Sequence, residues 1–458
     1  MQYANDQSTI CALSTASGVG AIAIIRVSGP EALRIGQQHF SKNLENAKAY
    51  SLLVGKWSNK KRLIDEVVVS VFRNPQSFTG EDVIEIACHG SNYIQQQILE
   101  GLIQSGCRMA GPGEFTFRAF MNGKMDLSQS EAVADLIAGE SAAAHQLALQ
   151  QMRGGYSSRL KILRDQLIEF ASLIELELDF SEEDVEFASR HQLKTLIENA
   201  QKHIAALTES FSLGNSIKEG IPVAITGKPN VGKSTLLNAL LNEEKAIVSS
   251  IAGTTRDTIE DVLNIDGIRF RFIDTAGLRK TEDEIEQLGI ERSIRTASKS
   301  AIVLVLADAQ NIEAIDDEIK EVIEHFDVRP NHLLALVNKL DLVPRLSMPE
   351  VIGGIPLIGI SARNKENLEA LKAALIKISG IKNIAAGATI VSNARHYESL
   401  VNAAACLERT LDGIERQLSG ELLAFEIREA IHHLGSITGE ITTDDLLSSI
   451  FTRFCIGK

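Results

Sequence analysis

One stretch constrains the fold of this chain more than any other: residues 227–235 read GKPNVGKST. The apolar, β-branched run 221–226 before it predicts a buried strand, and the run 236–241 after it has a helical pattern. A glycine-rich loop between a strand and a helix turns successive backbone N–H groups toward a phosphate. In such a loop, Lys233 reaches the outer phosphates and Ser234 ligates Mg²⁺. The sequence therefore predicts a nucleoside phosphate site.

Three more motifs each follow a strand-like run: DTAG at 274–277, NKLD at 338–341 and SAR at 361–363. The first offers a carboxylate for the Mg²⁺ shell and a glycine N–H near the γ-phosphate. The other two resemble the guanine-specificity signatures of Ras-like GTPases, in which an aspartate at the position of Asp341 pairs with N1 and the exocyclic amine of guanine. Because ligands bind at the carboxyl ends of strands in doubly wound sheets, the four motifs together predict a GTP-binding domain.

Length and composition bound the rest of the chain. Its 458 residues predict about three domains. A net charge of −14 argues against a general nucleic-acid-binding surface, so any RNA contact has to be local, transient or shared with a partner. The five cysteines have neither disulfide-framework nor zinc spacing, which fits a reducing compartment. Without a signal peptide or an apolar run of roughly 20 residues, we expect a soluble cytoplasmic protein with no membrane span.

The hydrophobic periodicity changes along the chain. Residues 1 to about 117 alternate β-rich runs with glycine turns and predict an α+β domain. Apolar residues at steps of three and four predict long amphipathic helices between 160 and 207, and the same pattern resumes after about 385. The predicted fold class is therefore a multidomain α/β protein in which a helical domain is interrupted by a Ras-like P-loop domain. The predicted segments are 1–118, 119–219, 220–381 and 382–458.

The hydrolytic machinery departs from the Ras pattern. Ras-type enzymes orient the attacking water with a glutamine after the DxxG motif, but Leu278 stands at that position. Asn230 and the small-residue loop 246–257 would suit a monovalent cation, whose charge beside the phosphates could replace an arginine finger; the simpler interpretation of Asn230 is ordinary loop hydrogen bonding. The acidic run 283–286 offers three carboxylates for the water, and the sequence gives them equal claim.

Two further features have both a simple and a functional interpretation. Arg26 and Glu85 lie on strand-like runs of the first domain, where they either face solvent or bind a polar ligand. Cys455 is either an incidental thiol or a nucleophile whose thiolate is stabilised by a nearby cation such as Lys458.

Taken together, the motifs resemble the MnmE (TrmE) family of tRNA-modification GTPases over essentially the whole chain. The features that carry the resemblance are the phosphate loop, GTTRD at 253–257, DTAG, the segment 113–127 and the terminal CIGK at 455–458. The resemblance implies that the N-terminal domain binds a reduced folate and forms a homodimer. It implies folate contacts at Arg26, Glu85, Lys124 and Lys458.

The resemblance also assigns roles in the GTPase domain. It implies potassium ligands at Asn230, Ser249, Ile251 and Thr254, and Mg²⁺ ligands at Ser234 and Thr255. It selects Glu286 to act on the water through a bridging solvent molecule, and it makes Cys455 a candidate for chemistry on the substrate. The implied GTP contacts are Asn230, Val231, Gly232, Lys233, Ser234, Thr235, Ser249, Ser250, Ile251, Ala252, Gly253, Thr254, Thr255, Asp274, Thr275, Ala276, Gly277, Asn338, Lys339, Asp341, Ser361, Ala362 and Arg363.

The function implied by the resemblance is potassium-dependent GTP hydrolysis coupled to tRNA modification. With the flavin- and NADH-using partner MnmG (GidA), in a heterotetramer, such proteins add aminomethyl or carboxymethylaminomethyl groups at C5 of the wobble uridine, U34. The one-carbon unit comes from a 5-formyl- or 5,10-methylene-tetrahydrofolate, and the nitrogen from glycine or ammonium. Two alternatives remain: a ribosome-assembly GTPase of the Era or EngA type, and a folate-binding scaffold with a vestigial GTPase.

Overall fold

The computed structural model describes residues 6–179, 189–244, 261–273, 301–311, 314–326, 332–343, 347–381 and 389–457. The chain divides into two compact units. The first comprises Met1–Ala138, Ala148–Lys202 and Ser399–Lys458, and the second comprises Gly139–Leu147 and His203–Glu398. The domain boundaries at 118, 219 and 381 stay a prediction.

The first unit contains a six-stranded sheet with the strand order β3-β4-β5-β2-β1-β6, in which β6 is parallel to β1 and the other pairs are antiparallel. The β-rich runs predicted for the first 117 residues are confirmed as strands of this sheet. The elements are β1 Ile10–Leu13, β2 Ile22–Ser28, α1 Ala32–His39, β3 Ser51–Asn59, β4 Arg62–Phe72, β5 Val83–His89, α2 Asn92–Gln104 and β6 Arg108–Met109.

The two faces of this sheet differ because side chains alternate along a strand. Helices α1 and α2 pack on one face, where residues such as Ile25, Ile86 and Trp57 form a buried core. The opposite face carries the alternate positions, including Arg26 and Glu85, which are directly paired across β2 and β5. The helices therefore leave this second face to other contacts.

Long helices follow, as the apolar spacing predicts. Within α6, Leu160, Leu167 and Ile174 are buried at helical spacing, whereas the opposite side of the helix is largely exposed. The helices are α3 Glu114–Met121, α4 Leu127–Ala138, α5 Ala142–Met152, α6 Ser157–Asp179 and α7 Arg190–Glu219.

The second unit contains a seven-stranded sheet with the order β12-β13-β11-β10-β7-β9-β8. Its five central strands are parallel, and the two edge strands are antiparallel. Apolar clusters cover both faces, which explains why the central strands are continuous apolar runs. The elements are β7 Ile221–Thr226, α8 Lys233–Glu244, β8 Asp261–Ile265, β9 Ile268–Phe272, β10 Ile302–Asp308, α9 Ala314–Phe326, β11 Leu333–Asn338, β12 Val351–Ile352, β13 Ile355–Gly359 and α10 Leu368–Ser379.

The last helices are α11 Ala394–Glu415, α12 Gly420–Thr438 and α13 Asp444–Phe451, and α12 packs along α6. The helical pattern predicted to resume after about residue 385 is thus confirmed. No helix in the described part of the chain is long and apolar enough to span a membrane.

Candidate functional site: a phosphate loop, a guanine-binding corner and an open sheet face

The phosphate loop joins the end of β7 to the start of α8. Gly227 has φ +140°, and a Cβ there would lie 2.1 Å from the carbonyl oxygen of Leu306. Gly232 has φ +99°, and its Cβ would lie 2.3 Å from Nδ2 of Asn338. Glycine is required at both positions because of the backbone conformation and because β10 and β11 approach so closely. The loop therefore packs closely against the central strands β10 and β11, and the first turn of α8 follows it directly in the chain.

Lys233 at the start of α8 closes this loop on itself. Its Nζ donates to the carbonyl oxygens of Gly227 and Lys228 at 2.6 and 2.8 Å. Burial lowers the pKa of Lys233, and the Glu318 carboxylate opposes that shift. The ammonium group thus already lies at the loop that the sequence assigns to the outer phosphates. Ser234 and Thr235 occupy the same first helical turn.

No role was predicted for Glu318, yet its carboxylate contacts a lysine of the phosphate loop. Glu318 Oε1 is 3.4 Å from Lys228 Nζ; the glutamate side chain is 9% exposed and the lysine side chain 58%. Its Oε2 is buried and has no hydrogen-bond partner among the residues that the structure describes. Burial raises the pKa of Glu318, and Lys228 and Lys233 oppose that shift. A signal was available, because Glu318 falls between the core positions Ile315 and Ile319 of α9.

The predicted guanine-specificity residues converge beside the phosphate loop. Asn338 is buried; its Nδ2 donates to the carbonyl of Val231 at 2.8 Å, and its Oδ1 accepts from the N–H of Ala362 at 3.0 Å. Asp341 Oδ1 accepts from Ser361 Oγ at 2.6 Å. One buried amide therefore ties the phosphate loop to both of the motifs that are expected to recognise the base.

Asp308, which the sequence analysis also missed, orients the lysine of the NKLD motif. Lys339 has φ +68°, and its Nζ lies 2.7 Å from Asp308 Oδ2. Burial alone would raise the pKa of Asp308, but hydrogen bonds from Lys339 and from the N–H of Gln310 lower it below its ordinary value. Asp308 and Asn338 are register partners at the ends of β10 and β11, so the shared strand edge places the two motifs together.

A second group of predicted residues lies in the first unit. Arg26 donates from Nε and Nη2 to Glu85 Oε1 at 2.9 and 2.8 Å. The guanidinium carbon lies 5.4 Å from the ring centre of Phe78 and 5.6 Å from that of Phe115. The two charged side chains are 16% and 24% exposed, so they form a half-buried pair between aromatic rings instead of facing solvent separately. Lys124 donates to the carbonyl of Pro75 at 2.9 Å.

The carboxyl-terminal tail docks beside the same sheet. The N–H of Gly113 donates to the carbonyl of Cys455 at 3.3 Å, and Ser14 Oγ donates to the carbonyl of Gly457 at 3.2 Å. Gly457 has φ +94°, and a Cβ there would lie 2.2 Å from the carbonyl oxygen of Leu13. The Leu13 end of β1 is paired with β2, the strand that carries Arg26. The exposed Cys455 is thereby held close to the first strand of the domain.

Several predicted site residues lie outside the described residues, so their roles stay predictions. Of the potassium set only Asn230 is described, and of the Mg²⁺ set only Ser234. The described residues contain no cluster of three or more His, Cys, Asp or Glu side chains that could hold a metal ion. The residues outside the described ranges are Ser249, Ser250, Ile251, Ala252, Gly253, Thr254, Thr255, Asp274, Thr275, Ala276, Gly277, Glu286 and Lys458.

The glycine loop at the end of a central parallel strand, the lysine within it and the Asn338–Asp341 corner define a P-loop guanine-nucleotide-binding protein. Family models extend this result to the rest of the chain. The model described as "GTP-binding protein TrmE N-terminus" matches residues 9–124, and the model described as "MnmE helical domain" matches residues 127–455.

Curated relatives agree with the family models. The Parabacteroides distasonis protein named tRNA modification GTPase MnmE is 53% identical over 98% of this chain and 100% of its own length. The Christiangramia forsetii protein of the same name is 50% identical over 98% of this chain and 99% of its own length. The Flavobacterium johnsoniae protein of the same name is 50% identical over 99% of this chain and 100% of its own length. The chain belongs to the MnmE family of tRNA modification GTPases. The predicted family, fold class and enzyme class are confirmed.

Proposed function

We propose that this chain hydrolyses GTP in a potassium-dependent manner and, with MnmG (GidA), adds an aminomethyl or carboxymethylaminomethyl group to C5 of U34 in certain tRNAs, in the cytoplasm. The one-carbon unit would come from a 5-formyl- or 5,10-methylene-tetrahydrofolate. The observation that carries the proposal is a phosphate loop tied to a guanine corner by Asn338, in one chain with an Arg26–Glu85 pair set between aromatic rings.

In the nucleotide site, the residues have distinct tasks. Lys233 exchanges the two loop carbonyls for phosphate oxygens, which have a stronger attraction for its ammonium group. Asp341 accepts hydrogen bonds from guanine, and the hydrogen bond that Ser361 Oγ donates to Asp341 Oδ1 orients the carboxylate. Ser234 and Thr255 would hold Mg²⁺, which neutralises phosphate charge when bound.

The potassium site is proposed from Asn230, Ser249, Ile251 and Thr254. Asn230 lies in the phosphate loop with φ +63° and is exposed, so its amide oxygen is available beside the phosphates. Side-chain and backbone oxygens are the ligand type that an alkali cation requires, and a fixed positive charge there would stabilise the transition state. Glu286 would orient the attacking water through a bridging solvent molecule.

The folate site is proposed around the Arg26–Glu85 pair. The Glu85 carboxylate suits a planar heterocycle with N–H donors, because it accepts hydrogen bonds and Arg26 holds it in place. The partly exposed ring of Phe78, which lies beside the Arg26 guanidinium, offers an apolar surface for such a ring system. Lys124 and Lys458 supply positive charge for the acidic tail of a folate. The folate would supply a one-carbon unit, and Cys455 would be the nucleophile. Intact wobble modification in a Cys455→Ser strain would rule out that covalent role.

The homodimer is proposed to form through the open face of the N-terminal sheet. Ile22, Leu52 and Val54 are 65%, 70% and 61% exposed. They lie on the same face as Arg26 and Glu85, because Leu52 is paired with Ser70 and Ser70 with Glu85. A second copy would cover these apolar side chains and shield the charged pair from water. Leu52→Glu with Val54→Glu should yield monomers by analytical ultracentrifugation, and an unchanged mass would contradict this interface.

The proposed function as a whole is tested by mass spectrometry of wobble nucleosides in total tRNA from cells lacking the protein. We expect loss of C5 aminomethyl-type nucleosides, restored by wild type but not by Lys233→Ala. Immunoblotting controls for equal protein levels. Normal nucleosides in the deletion strain would refute the proposal and favour a ribosome-assembly GTPase of the Era or EngA type. GTP turnover no faster than uncatalysed hydrolysis would favour the vestigial-GTPase alternative.

A further inference from the structure

The hairpin between β3 and β4 ends in an unusual turn. Asn59 and Arg62 are register partners, so Lys60 and Lys61 form a two-residue turn with φ +46° and +69°. Turns of this kind favour Asn-Gly or Asp-Gly, because both central residues need a left-handed backbone. Two lysines in this conformation cost backbone free energy. The hairpin therefore accepts local strain while it projects two charges from its tip.

These lysines belong to a larger surface, the basic hairpin patch, which consists of Lys42, Lys56, Lys60, Lys61 and Arg62. All five side chains are exposed, and none forms an ion pair or a side-chain hydrogen bond with the described part of the chain. Lys42 joins the patch because the N–H of Ser41 donates to the carbonyl of Lys56 at 3.0 Å. Residues 41–62 contain six Lys and Arg but one Glu, in a chain of net charge −14. The patch is a local reversal of charge.

The base of the hairpin is held firmly. Trp57 is fully buried and stacks on His39, with ring centres 5.4 Å apart and an angle of 11°. Asn59 Nδ2 donates to the carbonyl of Gln97 on α2 at 2.5 Å, and a Cβ on Gly101 would lie 2.4 Å from Asn59 Oδ1. The charges at the tip are thus presented on a packed support, which lowers the ordering cost of binding.

We propose that the basic hairpin patch binds the backbone phosphates of tRNA. An acidic chain is repelled by a polyanion except where its surface is locally cationic, and unpaired lysines can release the counterions of the phosphates. Glu66 is the register partner of Lys56, and Glu45 lies in the same segment as Lys42, so the uncompensated positive charge is concentrated at the hairpin tip, in Lys60, Lys61 and Arg62. The inference rests on the proposed function, because that function supplies tRNA as the polyanion. The inference adds to that function a tRNA-binding surface that belongs to this chain and not to its proposed partner.

The structure provides a variant that removes the charge and keeps the turn. Lys60→Asn with Lys61→Gly installs the favoured turn residues, so the thermal midpoint should stay equal or rise. Binding of labelled tRNA to the full-length protein should weaken roughly 10- to 100-fold at 0.1 M salt. Each phosphate contact raises the affinity about tenfold when the salt concentration falls from 1 M to 0.1 M, and the variant loses two such contacts. The slope of log affinity against log salt should fall by about 2.

The matched control neutralises two exposed lysines of the helices, Lys161→Gln with Lys202→Gln, and should leave affinity and slope near wild type. GTP hydrolysis without tRNA should be equal in all three proteins, which verifies the nucleotide site. If wild type binds tRNA and the hairpin variant binds equally well, the inference is wrong while the proposed function stands. If wild type binds anionic phosphatidylserine vesicles but no tRNA, the inference is wrong, and the nucleoside measurement described above decides separately whether the proposed function stands.

Discussion

Replacing Lys228 with Met should weaken GTP binding because it leaves the buried Glu318 carboxylate without its counter-charge. The two groups are 3.4 Å apart, which corresponds to about 5 kcal/mol of attraction at an effective dielectric constant of 20 and about 1 kcal/mol in bulk water. Lys228 is 58% exposed, so solvent screening brings the interaction toward the lower figure. A loss of about 1 kcal/mol is roughly a fivefold rise in Kd.

The effect should reach the nucleotide through electrostatics. The Glu318 carboxylate also attracts the Lys233 ammonium group. Without Lys228, that carboxylate would compete with the phosphates for Lys233 and would repel the phosphates. In the double variant, Glu318→Gln should restore the affinity lost in Lys228→Met, since a neutral amide neither attracts Lys233 nor repels phosphate. A coupling free energy of about 1 kcal/mol is expected from the four-protein cycle.

The assay is titration of a fluorescent GTP analogue and its GDP counterpart at fixed Mg²⁺ and salt, with circular dichroism as a check on folding. Both nucleotides should be affected equally if the repulsion acts on the phosphates nearest the loop. A double variant that binds as weakly as Lys228→Met would refute the reasoning, because it would mean that Lys228 contacts the nucleotide directly or only shapes the loop.

Three further outcomes follow from buried charges and close backbone contacts. Burial raises the pKa of Glu318 above its ordinary 4.5, so the ionised carboxylate lowers the stability of the fold at neutral pH. Glu318→Gln should therefore raise the denaturation midpoint at pH 7. This gain should shrink toward pH 4, where the carboxyl group of the wild type is protonated in the folded protein. Gly457→Ala should release the tail and speed its digestion by carboxypeptidase, whereas Gly123→Ala, also at positive φ but with no atom within 4 Å of its Cβ, should not. Glu114→Gln removes a buried carboxylate from between two arginines and should cost about 3 kcal/mol in urea denaturation, against under about 0.5 for the 85% exposed Glu369→Gln.

Local patterns predicted much of this fold from the residues alone. The strand at Ile221–Thr226 has the predicted bounds, and the helix after the loop begins at Lys233. These elements are predictable because a buried parallel strand needs a continuous apolar run and a phosphate loop needs glycines at fixed spacing. The same holds for α6, whose apolar spacing sets one buried side.

Contacts between distant residues were beyond such patterns. Arg26 and Glu85 are 59 residues apart, and only the pairing of β2 with β5 makes them an ion pair. Asp308 required the parallel register of β10 with β11 before it could reach Lys339. Glu318 required the packing of α9 on its core side. Each of these residues depends on tertiary register, which period and composition do not encode.

The tail that carries Cys455 shows how two separate motifs can be parts of one site. Gly113, which precedes α3, has φ +64°, and a Cβ there would lie 2.7 Å from the carbonyl oxygen of Phe451. The same N-terminal end of α3 receives the tail through the backbone bond to Cys455, while Phe117 packs edge-on against Phe451 with ring centres 5.4 Å apart. The 113–127 motif therefore fixes where the terminal CIGK motif lies. A substitution in α3 that breaks these contacts should displace the Cys455 thiol, as a substitution in the tail would. The two segments therefore act as one structural element.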